Sequence, residues 1–71
     1  MYRQVFEKTL VREGEVRTYK ISKGPSGWDV SENDADKVAR HHHADWHKVE
    51  RTMMRFTHEI AALRNEGWLE S

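Results

Sequence analysis

His41, His42 and His43 stand in a row, and His47 follows four residues after the last of them. Neutral imidazoles ligate zinc, nickel and copper, so this run is the first place in the chain where residue type and spacing suggest chemistry. In extended backbone His41 and His43 share one side of a strand. His47, in the first turn of a following helix, then approaches them. The candidate ligands for a divalent transition metal are therefore His41, His43 and His47. If the helix starts earlier, His43 and His47 stack one turn apart, which is also ligand spacing. His58 lies about 16 Å of helical rise beyond His47 and would have to come from another chain. The plainer reading is an exposed polar strand or loop whose imidazoles meet solvent. A further one is a patch that gains charge together as pH falls below about 6.5.

Other chemistry finds less support. Asp29, Asp45, Glu50 and Glu59 are the acids near apolar residues, and they form no recognisable acid–base pair. Asp45 reads more simply as a helix cap, Glu50 and Glu59 as solvated helix residues, and Asp29 as the outward neighbour of Trp28. The chain has no cysteine, and Ser22, Ser26 and Ser31 sit in turn-like contexts without the strand-turn-helix elbow that activates a serine. Gly24-Pro25-Ser26-Gly27 is too short for a phosphate loop and carries a proline where amides must point. The expectation is a protein that is not an enzyme. Arg17, Tyr19, Lys20, Lys23 and Trp28 mix cations with aromatics as a nucleic-acid platform does. Against that, twelve basic and twelve acidic residues cancel, removing the electrostatic attraction that dominates such binding.

The elements that must position these residues are legible in outline. Tyr2, Phe6 and Leu10 alternate loosely with charged residues, Glu13-Gly14 offers a hairpin turn, and Val16 to Ile21 is β-rich. Gly24-Pro25-Ser26-Gly27 is the strongest turn signal, and Trp28-Asp29-Val30 follows as a third strand. Ser31 to Asp36 lacks apolar anchors and reads as a loop. Residues 37–44 fit an early helical turn or a fourth strand, and the alternation of Val38, Arg40 and His42 favours strand.

Trp46, Val49, Met53, Phe56, Ile60 and Leu63 recur at spacings of three and four, the stripe of an amphipathic helix. Asp45 suits the N-cap. Gly67 suits the left-handed stop, with Trp68 closing against Leu63. The predicted fold is α+β: an antiparallel meander of three or four strands (about 2–11, 15–23, 27–31 and 37–43). One long helix (46–66) packs across one face, burying its stripe on Phe6, Leu10, Tyr19, Ile21, Trp28 and Val30.

Seventy-one residues make one small domain, 1–71, with a thin core that often borrows stability from a second copy. The absence of cysteine favours a reducing compartment, the cytoplasm. No stretch has the roughly 20 apolar residues of a membrane span, and the N-terminus lacks the order of a signal peptide. The expected role is a small interaction module working through protein contacts along the helix, with a homodimer as one form. Met53 and Met54 widen the apolar surface there, and Arg51, Met54, Arg55 and Ala62 are the surface residues assigned to that role. A histidine metal module is the alternative, and weak nucleic-acid binding across the strands is third.

Overall fold

The computed structural model describes residues 3–34 and 37–71. Arg3–Arg12 (β1), Glu15–Gly24 (β2), Gly27–Asp34 (β3) and Lys37–His43 (β4) form the meander, Trp46–Asn65 is the helix (α1), and Leu69–Glu70 (β5) is a final short strand. The sheet order is β4-β3-β2-β1-β5, with every neighbouring pair antiparallel. The α+β meander with one helix of 20 residues among the described residues agrees with the sequence pattern. Tyr2, expected to begin the first strand, lies outside the described residues.

The fourth strand is present over Lys37–His43, as the alternation there favoured. One correction concerns the meander: β3 runs on through Asp34 where a loop was expected. Ser31 and Asn33 need no apolar partner because they point to the uncovered side of the sheet, while Glu32 and Asp34 reach cations on the helix side. The strand β5, which carries no periodicity of its own, was not foreseen.

Strand alternation decides which residues meet the helix. Leu10, Tyr19, Ile21 and Val30 stand on one face and are buried with Val49, Phe56, Ile60, Leu63 and Trp68. Phe6, Trp28 and Met53 pack at the margin of this cluster. Phe56 sits at its centre, with ring centroids 4.8 Å from Tyr19 and 6.2 Å from Phe6. Trp46, first in the stripe, remains 40% exposed and leans on Trp28 at 5.6 Å. Val5 fits neither face cleanly because a bulge between Gln4 and Phe6 shifts the register there.

Both helix ends obey the residues that flank them. The Asp45 carboxylate accepts from the His47 amide at 3.0 Å. At the other end Gly67 takes φ +100°, the Gly67 amide donates to the Arg64 carbonyl, and the Trp68 amide donates to the Leu63 carbonyl at 3.0 Å. This paired closure turns the chain back onto the sheet and drops Trp68 into the core beside Leu63. From there Leu69 and Glu70 pair with Val11 and Leu10, and the Ser71 amide donates to the Thr9 carbonyl.

Gly27 joins the β2–β3 turn to the end of β4. Its φ of +138° is unfavourable for other residues, and a Cβ there would lie 2.5 Å from the His43 carbonyl oxygen. Gly27→Ala should therefore destabilise the fold by about 1–3 kcal/mol, and Phe56→Ala by about 3–5 kcal/mol through the void left between helix and sheet. Urea unfolding curves of the two variants check both values, and an unchanged midpoint for either would contradict the packing described.

Candidate functional site

The histidines lie on β4, an edge strand on which every residue except His43 is exposed. Register with β3 sets Trp28 beside His43, Asp29 beside His42, Val30 beside His41 and Ser31 beside Arg40. Because sides alternate along a strand, His41 and His43 share the helix-side face as expected, with ring centroids 6.3 Å apart and planes 16° from parallel. His47 is exposed in the first turn of α1. Among the described residues no group of three or more side chains capable of ligating a metal is assembled. The pair His41 and His43 would present two imidazoles to a surface-bound cation, leaving its other positions to water.

His42 points to the opposite, open face and is the histidine with fixed partners. Its Nδ1 lies 2.8 Å from the Asp29 carboxylate and its Nε2 lies 3.2 Å from the Ser26 carbonyl. Both partners are acceptors, so the doubly protonated ring satisfies both contacts at once. The Asp29 hydrogen bond, helped by the Ser26 carbonyl, raises the imidazole pKa above its ordinary value of 6.5. No pairing of this kind could be read from the sequence, since the partners are thirteen and sixteen residues from His42 and meet only through strand register.

Asp29, Ser31, Arg40 and His42 together line a shallow depression on the open face between β3 and β4. The rest of that face is a lattice of short and polar side chains. Lys20 pairs with Glu7 at 3.4 Å, Thr9 faces Thr18, and a small apolar row runs Leu69, Val11, Val16.

Several of the other carboxylates serve as caps and ion-pair partners. Glu32 accepts from Arg55 at 2.9 Å, Glu59 accepts from the same guanidinium at 3.0 Å, Arg17 approaches Asp34 at 3.6 Å, and Lys8 pairs with Glu70 at 3.1 Å. Arg55 is thus tied down across the helix and β3. Arg51, Met54 and Ala62 are exposed, Met54 by 59%. Glu50, Met53, Met54, Thr57 and His58 line a mostly apolar groove along the helix.

The structure separates the residues of the expected nucleic-acid platform. Tyr19 is buried under the helix, Trp28 packs against Trp46 with Lys23 over its ring at 5.5 Å, and Arg17 lies over Trp68 at 5.2 Å. Lys20 is on the other face, paired with Glu7. Among the described residues no helix is long and apolar enough to cross a membrane. Comparison with family models, with curated proteins and with solved structures yields no match.

A raised folded-state pKa at His42 means that its stabilising contribution is complete below the ordinary imidazole pKa of about 6.5. That contribution is lost as pH rises through the raised value. The stability gap between the native chain and Asp29→Asn should accordingly narrow with rising pH. In the variant the His42 ring should titrate closer to an ordinary imidazole by NMR, and an identical titration curve would remove Asp29 as the cause.

Proposed function

We propose that this chain is a non-enzymatic protein-interaction module that takes an extended segment of a partner chain along the outer edge of β4. What supports this reading is that β4 has a strand neighbour on one side only along its whole length, whereas the outer side of β1 is closed in part, at Leu10 and Val11, by the short strand β5. An edge strand leaves alternate backbone N–H and C=O groups directed outward, a template for another strand. The seven residues from Lys37 to His43 are enough for such pairing, include no proline and keep six side chains exposed. The engagement of Asp45 as a cap and of Glu32 and Glu59 by Arg55 favours binding over catalysis.

The alternative within the same class is a second copy meeting the helix around Met54. Its support is the exposure of that side chain beside the groove lined by Met53, Thr57 and His58. Strand addition is preferred because Arg55, assigned to the helix surface from sequence, is already engaged by Glu32 and Glu59.

Decapeptides selected from a displayed random library against the immobilised chain distinguish the two. Their amide NMR shifts should centre on Lys37–His43 and on β3. Shifts centred on Arg51, Met54 and Ala62, or a dimer mass in sedimentation that Met54→Glu abolishes, would replace edge pairing with the helix reading.

A further inference from the structure

We propose that the segment β4 accepts is acidic, carrying two carboxylates three residues apart, one set opposite Arg40 on the open face and the other opposite Lys37 on the helix side. This inference deepens the strand-addition reading and rests on it.

The fixed charge on β4 is one-signed. Lys37 and Arg40 fall within seven residues that include no acid. The acids that β3 places alongside are already engaged: Asp29 with His42, Glu32 with Arg55 and Asp34 with Arg17. Among the described residues Lys37 and Arg40 enter no ion pair. An incoming strand therefore meets two cations, Lys37 and Arg40, whose counter-charge the described part of the sheet has not supplied, and electrostatic complementarity selects an acidic one.

The same charge argues against a second copy at this edge. A two-fold antiparallel pairing of β4 with itself, centred on Arg40, sets Arg40 against Arg40. Like charges directly opposite on neighbouring strands repel.

Strand geometry fixes the spacing. Directly paired residues in antiparallel strands point to the same side, so the partner residue opposite Arg40 projects to the open face beside the Arg40 side chain. The residue opposite Lys37 is three places further along the partner and projects to the other side. A carboxylate at each of these places meets one guanidinium and one ammonium, and the residues between need only extended backbone and modest size.

The test is amide NMR titration of the intact chain with acetyl-Thr-Glu-Val-Thr-Glu-Val-Thr-amide, with the same peptide carrying glutamine for glutamate, and with its lysine counterpart. At low ionic strength the glutamate peptide should bind about tenfold more tightly than the glutamine peptide, with shifts along β4 and β3 and a preference that shrinks as salt is added. Arg40→Glu, checked by its spectrum to be folded, should lose the glutamate peptide and gain the lysine one, a swap that mere damage to the fold would not produce. Equal binding of the glutamate and glutamine peptides along β4 would overturn the acidic preference while leaving strand addition in place. Shifts confined to the helix, or none with any of the three peptides, would overturn both.

Discussion

Among the described residues a single helix is the only layer that covers the sheet, and it covers one face. In a chain of 71 residues this constraint governs which positions must be apolar. Leu10, Tyr19, Ile21 and Val30 meet the helix stripe, and the strand positions between them are free to be polar. The open face is accordingly built from cross-strand pairs that tolerate water, such as Glu7 with Lys20 and Asp29 with His42. Exposed ion pairs of this kind contribute little to stability. They keep a bare face polar and specify register, because a shift of one residue would bring these charges under the helix.

The end of the helix then determines how the two edges of the sheet differ. Closure at Gly67 sends Trp68 into the core, where the guanidiniums of Arg12 and Arg17 lie 5.1 and 5.2 Å from its ring. Arg12 also donates to the Glu66 carbonyl, fastening the β1–β2 hairpin to the helix terminus. These contacts carry Leu69 and Glu70 alongside β1, so the edge nearest the helix C-terminus is partly closed. The opposite edge joins the helix at its N-terminus through Ala44 and Asp45, and among the described residues no further strand lies beside it. The difference between a partly closed and an open edge thus follows from where the helix begins and ends.

Most of this architecture was legible because apolar spacing and caps are local signals. The helix stripe, Asp45 at its start, Gly67 and Trp68 at its end, and the turns at Glu13-Gly14 and Pro25-Ser26 all read directly from neighbouring residues. The extension of β3 was not legible, since Ser31 to Asp34 is held by strand pairing and by Arg17 and Arg55, residues remote in sequence. At the candidate site, the shared side of His41 and His43 followed from strand period alone. The distinct position of His42 did not, because Asp29 and Ser26 reach it across the β3–β4 register. Arg55 looked like a free surface cation for the same reason.

An exposed edge strand is ordinarily an aggregation hazard, and charged side chains are one of the ways in which proteins protect such edges. On β4 that protection comes from cations alone, and its effect depends on what approaches. Charges of both signs would discourage most strands to a similar degree, whereas an edge whose fixed charges are Lys37 and Arg40 would, on the proposed reading, repel copies of itself and attract an acidic strand. Protection against self-pairing and choice of partner are then two consequences of one charge pattern. Engagement of Asp34 with Arg17 and of Glu32 with Arg55 is what leaves Lys37 and Arg40 uncompensated at the edge.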